Sequence, residues 1–249
     1  MCAIAHQLEA AGLPTTLIAL VKPHAEKIRP PRALWVPFEL GRPLGAPEDS
    51  RFQRRVIKAA LKLLGNQATP VLNDFPEDAP PDNNISNYDE NWVCPVSFNS
   101  PSVSNHDTHA KRLAAEVSLL VPWHEAWKRK HGRTGFGLTG LEPEKLADFF
   151  GSFADGHEPG ALLPGSETAN TFKLGVNDLL TFYQEAANAQ PGAVGNTAEI
   201  NSWFWNETEA GQTLLAIRKI GGGKDPKLDF VIKRLTVPHV AEAIINKKL

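Results

Sequence analysis

The sequence predicts an α/β fold, a short parallel sheet of the Rossmann or flavodoxin kind, followed by an all-α helical domain. Three observations carry this. A helical stretch, MCAIAHQLEAAG (1–12), feeds straight into an apolar, β-rich run, LPTTLIALV (13–21). A second such run, ALWVPF (33–38), follows after a short connection. From about residue 101 the texture changes to long amphipathic stretches with helical periodicity.

In residues 1–12, Ile4, Ala5 and Leu8 recur at helical spacing and are expected to face inward, and Gly12 is a natural stop. The run 13–21 has the composition of a strand buried inside a parallel sheet. Residues 22–32 read as a turn or short helical loop ended by Pro30 and Pro31, and 33–38 as a second buried strand that Pro37 stops. A Gly/Pro loop, ELGRPLGAPED (39–49), leads into the clearest helix of the chain, 50–64. Asp49 or Ser50 caps that helix; Phe52, Val56, Ile57, Ala60, Leu61 and Leu64 are expected to face inward, and Gly65 ends it.

These elements define an α/β part over residues 1–65. Residues 66–100 read as an acidic, Pro-rich linker, because Pro70, Pro76, Pro80, Pro81 and Pro95 oppose long regular structure. Within it WVCPVSF (92–98) is an apolar island. Residues 101–249 form the helical domain, with helices expected over 106–121, 142–154, 168–189, 197–220 and 226–247. Pro122 kinks or restarts the first of these, GRTGFGLTG (132–140) is a glycine-rich hinge, and Pro238 breaks the last.

The 249 residues suffice for a large core, and no apolar stretch approaches the ~18–20 residues of a membrane-spanning helix. The N-terminus lacks the pattern of a signal peptide. Two cysteines cannot build a disulfide framework, so a reducing cytoplasm is the expected compartment. Net charge is −2 overall but unevenly divided: +5 over 1–65, −6 over 66–100 and −1 over 101–249. The acidic linker is expected to balance the basic segment by folding across it; an anionic substrate or acidic partner is the alternative. Basic residues are not interleaved with exposed aromatics, so no nucleic-acid partner is expected.

Cys2 is the sharpest chemical candidate, because a thiol in the first turn of a helix is biased toward thiolate by the dipole and free N–H groups. Cys94, in an apolar frame, reads as a small buried hydrophobe or as a resolving thiol for Cys2. His24 and Glu26 follow the first strand and suit proton transfer. Gly41, Arg42 and Gly45 follow the second strand, where Arg42 would hold a substrate carboxylate with its bidentate fork. That loop lacks the spacing of a dinucleotide or phosphate-binding motif. His106 and His109 lack a third ligand at metal spacing, His124-Glu125 lacks the second His of a zinc motif, and Gly221-Gly222-Gly223-Lys224 reads as a helix terminus. No metal and no cofactor is expected.

The segments CAIAHQLEAAGLPTTLIALV (2–21), PPRALWVPF (30–38), LGRPLGAP (40–47) and FQRRVIKAALKLL (52–64), in this order and spacing, resemble the C-terminal end of component B of the glycine/sarcosine/betaine reductases and of D-proline reductase. The resemblance covers about 65 residues. It implies thiol-dependent reductive cleavage of a small substrate bearing a carboxylate or an amine, with partner subunits of a reductase complex. It also places a [UC]-x-x-C motif just before the first helix, with Cys2 at its trailing edge, so a strand and its thiol-bearing turn are expected ahead of Met1. A non-catalytic interaction subunit, or a truncated relative of that family, is the alternative expectation.

Overall fold

The computed structural model describes residues 1–66, 68–80, 107–157, 160, 162–163, 165–189, 197–238, 241–242 and 245. The chain divides into two compact units, the first holding the described residues up to 80 and the second those from 107 to 237.

In the first unit three strands, β1 (Leu17–Ala19), β2 (Arg32–Trp35) and β3 (Val71–Asp74), form one sheet in the order β1-β2-β3. Both pairings are parallel, Leu17 opposite Ala33 and Arg32 opposite Val71. Helices α1 (Cys2–Ala10), α2 (Lys22–Ile28) and α3 (Ser50–Lys62) precede β1 and connect the strands. The α/β start is therefore the one the sequence predicts.

The strands are shorter than the apolar runs that announce them. Pro14 has no N–H to donate, and Thr15 gives its N–H and hydroxyl to the Glu9 carboxylate (2.5 and 3.0 Å), while the Thr16 hydroxyl donates to the Ala60 carbonyl at 3.0 Å. The Thr15 N–H is thereby taken from the ladder, the two hydroxyls fix the approach to the strand, and β1 keeps three residues.

β3 corrects the reading of 66–100 as a linker without regular structure. Val71 and Leu72 are too short an apolar pair between Pro70 and Pro76 to signal a strand alone. Pairing with β2 makes them one, with Val71 N–H on the Pro31 carbonyl (2.9 Å) and Phe75 N–H on the Trp35 carbonyl (2.8 Å). Phe75 then joins Phe38 and Phe52 in a mutual ring cluster, centroids 5.5–5.9 Å apart. Two acids of the described part of this stretch pair with bases of the first segment: Lys22 with Asp74 at 2.5 Å and Arg55 with Glu77 at 2.7 Å.

Two inward faces are narrower than their periodicity implies. On α1 only Ala5 is buried, and Ile4 and Leu8 are exposed. β1 is an edge strand with three ladder residues, which leaves little apolar surface for α1 to cover. On α3 Phe52, Val56 and Ala60 are buried, whereas Ile57 and Leu61 are exposed. Asp49 caps α3 by accepting the Phe52 N–H at 2.9 Å.

In the second unit the described helices are α4 (His109–His131), α5 (Pro143–Ala154), α6 (Thr168–Ala189), α7 (Thr197–Glu207), α8 (Glu209–Ile220) and α9 (Pro226–Leu235). α4 runs unbroken through Pro122, so the expected restart does not occur. Its first turn is held from another helix's end: Asp155, just past α5, accepts the N–H groups of His109 (2.8 Å) and Ala110 (3.1 Å). The core gathers Phe149, Phe150, Phe153, Phe172, Phe182, Tyr183, Phe204 and Trp205 with Leu113, Leu146 and Leu214.

The stretch 197–220, expected as one helix, is two. Thr208 separates them, its hydroxyl donating to the Phe204 carbonyl (2.7 Å) and accepting the Gly211 N–H (3.0 Å). The triple glycine is the helix terminus expected of it. α8 ends at Ile220, and Gly222 N–H donates to Asp229 of α9 at 3.0 Å.

Candidate functional site

The polar residues of the α/β unit gather at the two ends of the sheet, and the two ends differ. At the amino end Glu9, at the foot of α1, accepts from Thr15 and from Arg32 Nη1 (2.6 Å), while Arg32 Nε donates to the Asn66 carbonyl (3.0 Å). The Thr15 backbone N–H, with Arg32 beside it, holds the Glu9 carboxyl below its usual range. Arg32 is buried, and this end is a closed structural network.

At the carboxyl end the arrangement is open. Lys22 opens α2 directly after β1, Trp35 is the last residue of β2 and Asp74 the last of β3. Lys22 Nζ lies 2.5 Å from Asp74 Oδ2 and 4.6 Å from the centroid of the Trp35 ring. Both charged side chains keep a third or more of their surface in solvent (34% and 50%). Parallel sheets bind ligands at this end, where the connections splay apart. A cation, a carboxylate and an aromatic face converge there from all three strands.

The candidates of the sequence reading are placed as follows. Cys2 is the first residue of α1, partly buried. His24 and Glu26 are exposed on α2. Among the described residues, Cys2, His24 and Glu26 form no hydrogen bond or ion pair with one another. Arg42 lies in the turn after β2; its N–H donates to the Glu39 carbonyl (2.9 Å) and its Nε is 3.9 Å from Glu39 Oε2. Gly41 (φ 91°) turns in open space. Gly45 (φ 83°) is buried, and a Cβ there would stand 2.8 Å from the Phe52 ring, so its lack of a side chain serves packing. Cys94 lies outside the described residues, as does His106. Lys22 was adjacent to the expected site; Asp74 carried no sequence signal, because nothing marked β3.

The helical unit concentrates buried polar groups; Asp178, Glu185, His124 and Glu116 have structural tasks, while the buried Thr171 and Thr213 hydroxyls have no hydrogen-bond partner among the described residues. The 132–140 segment, expected as a hinge, is gripped on both sides. Asp178, fully buried, accepts the N–H groups of Gly137 (3.0 Å), Leu138 (2.8 Å) and Thr139 (2.8 Å) and the Thr139 hydroxyl (2.7 Å). Glu185 accepts from the Thr134 hydroxyl (2.5 Å), Gly135 N–H (2.7 Å) and His124 Nε2 (3.0 Å). His124 is buried against Phe136 and Phe182. Its neighbour Glu125 pairs with Lys128 instead, at 2.9 Å.

Glu116 is buried between α4, α6 and the start of α8. It accepts from Tyr183 Oη (2.6 Å), Glu209 N–H (2.9 Å) and Ala210 N–H (3.2 Å). Burial raises its carboxyl to about 7, against the lowering effect of those hydrogen bonds; Glu209 nearby adds repulsion, itself paired with Arg112 at 3.0 Å. Burial and the adjacent Glu116 push the Tyr183 phenol well above its usual value. The folded chain thus holds a proton on Glu116 that the unfolded chain has released. Stability from this group is full below about pH 4.5 and is lost as pH rises through about 7, a fall of up to about 3 kcal/mol. Urea unfolding of Glu116→Gln is expected to lose this part of the pH slope between pH 5 and 8; a slope equal to the parent's would refute the assignment.

Among the described residues no group of three or more His, Cys, Asp or Glu is placed to hold a metal ion, and no helix is long and apolar enough to cross a membrane. No family model, curated protein or solved structure matches the chain.

Proposed function

We propose that the α/β unit is a thiol-dependent, reductase-like module acting on a small amine or amino-acid-like substrate, of the kind the N-terminal segments resemble. The observation that supports it is the parallel pairing of β1 with β2, with α1 feeding β1 and Cys2 in the first turn of α1. The resemblance implies a helix, a strand, a Pro-Arg segment before a second strand, a loop and a final helix, and that order supports the reading. In this reading the Cys2 thiolate attacks the carbon bearing the amine, a C–S bond forms as the C–N bond breaks, and His24 or Glu26 delivers a proton to the departing amine. Arg42 faces the carboxylate, and a dithiol donor supplies the two electrons that free the carbon and regenerate the thiol. A free thiol with this task suits a reducing cytoplasm.

The test is amine release from trimethylglycine or sarcosine, or reductive ring opening of D-proline, with dithiothreitol as donor. Cys2→Ser is expected to reduce turnover by at least about a hundredfold, as loss of a nucleophile does. Turnover equal to the parent's removes Cys2 from the reaction.

A second reading, a non-catalytic subunit of a larger assembly, is favoured by the exposed Ile4 (54%) and Leu8 (39%) on one face of α1. A defined protein partner, recovered with a chain whose Cys2 is inert to iodoacetamide at neutral pH, would favour it.

A further inference from the structure

We infer that Lys22, Trp35 and Asp74 anchor the substrate, holding a small zwitterion by its two charges at the carboxyl end of the sheet. The inference rests on the reductase-type reading for the class of ligand and adds the residues that would select it.

The geometry carries the assignment. The three side chains come from three separate strand ends, 52 residues apart at the extremes, and meet around one ammonium group. The Lys22 ammonium already occupies the position a ligand cation would take, against the Asp74 carboxylate and over the Trp35 ring. A quaternary or primary ammonium fits the same place by the same two attractions. The displaced Lys22 then shares the ligand's own carboxylate with Arg42. Among the three anchoring residues, the Lys22–Asp74 pair and the Lys22–Trp35 contact are exchanged for two charge contacts and one aromatic contact, a net gain of one charge contact. A half-exposed pair of this kind contributes little stability that would resist the exchange.

Contrast with the other end of the sheet sharpens the point. Glu9 of α1 and Arg32 of β2 are also an acid–base pair, but Arg32 is buried and takes a second partner at the Asn66 carbonyl. A ligand has no room to divide them. Lys22 and Asp74 are open to solvent, and they stand at the end of the sheet where parallel folds place ligands.

The experiment is an NMR titration of the whole chain with trimethylglycine, following the Trp35 indole N–H, with tetramethylammonium and acetate as single-charge controls. Trimethylglycine is expected to shift the Trp35 signal, and Asp74→Asn to weaken its binding about tenfold. Lys22→Met removes the ammonium competing for the site together with the partner of the carboxylate, and is expected to tighten tetramethylammonium relative to trimethylglycine about tenfold. Tetramethylammonium is expected to weaken in Asp74→Asn alone and acetate in Lys22→Met alone. Trp35→Leu, followed by calorimetry, is expected to weaken trimethylglycine and tetramethylammonium together. Lys22 is half-buried and Asp74 exposed, and neither belongs to the hydrophobic core of the unit, so Lys22→Met and Asp74→Asn leave that core untouched. Equal affinity for trimethylglycine in the parent and Asp74→Asn, an unchanged preference between tetramethylammonium and trimethylglycine in Lys22→Met, or no Trp35 shift in the parent, overturns the anchoring role. Charge-selective weakening together with unchanged turnover in Cys2→Ser supports the anchor while the thiol reading fails.

Discussion

Asp178→Ala is expected to destabilise the helical unit by about 4 kcal/mol, because it orphans three backbone N–H groups and a hydroxyl in one step. The carboxylate does for residues 137–139 what a helix N-terminus does for an anion, with the roles reversed: one side chain supplies acceptors to three consecutive amides. Deleting it leaves the buried Thr139 N–H and hydroxyl without an acceptor, at about 1–3 kcal/mol each, while the N–H groups of the exposed Gly137 and Leu138 turn to water at smaller cost. Packing loss adds little, since Asp is small. Asp178→Asn discriminates the cause. It keeps the volume but turns an NH2 toward amides, so it should recover less than half of the loss. Urea unfolding followed by tryptophan fluorescence reads both. A loss below about 1 kcal/mol for Asp178→Ala would mean that the loop finds other partners.

Gly211→Ala is expected to cost about 4 kcal/mol, beyond the usual range of overpacked core substitutions. A Cβ at this position would lie 2.1 Å from the Phe204 carbonyl oxygen and 3.0 Å from Trp205 Cα. Both contacts are backbone, so no rotamer relieves them. In an exposed helix the same change would gain about 1 kcal/mol of propensity. Here the clash exceeds that gain and sets the sign. The consequence is local first: α7 must separate from α8, and the Thr208 bonds to Phe204 and Gly211 are lost with them. Calorimetric unfolding of the whole chain, with Thr208→Ala as a milder comparison, tests this; an unchanged or raised midpoint for Gly211→Ala would refute the close approach.

The sequence was legible where one short segment contains its own reason. α3 is an example: Asp49 caps it, Phe52, Val56 and Ala60 repeat at helical spacing, and Gly65 closes the turn that follows. The start and end of α6 at Thr168 and Ala189 were legible in the same way. Strand β3 was not. Two apolar residues between prolines carry no period, and their strand state is conferred by the β2 backbone. The Thr208 break was equally silent, because a lone threonine is compatible with a helix until a neighbouring carbonyl and amide claim its hydroxyl.

The candidate site divides along the same line. Local rules brought out Cys2, His24, Glu26 and the Gly41–Arg42–Gly45 loop, since each sits beside an element boundary. They could not place Asp74 beside Lys22, nor distinguish Gly45, which packs on Phe52, from Gly41, which packs on nothing within 4 Å.

By itself the sequence determined the order of helix and strand at the start of the chain, the helical character of the remainder and the charge segregation between 1–65 and 66–100. These follow from propensity, period and composition, which act over a few residues. Only the tertiary structure decided that the sheet has a third strand, that its carboxyl end gathers a lysine, a tryptophan and an aspartate, and that the glycine-rich segment is clasped by Asp178 and Glu185. Those outcomes depend chiefly on hydrogen bonds and charges between residues 39 to 52 apart in sequence, and no local pattern encodes which distant partner a side chain will meet.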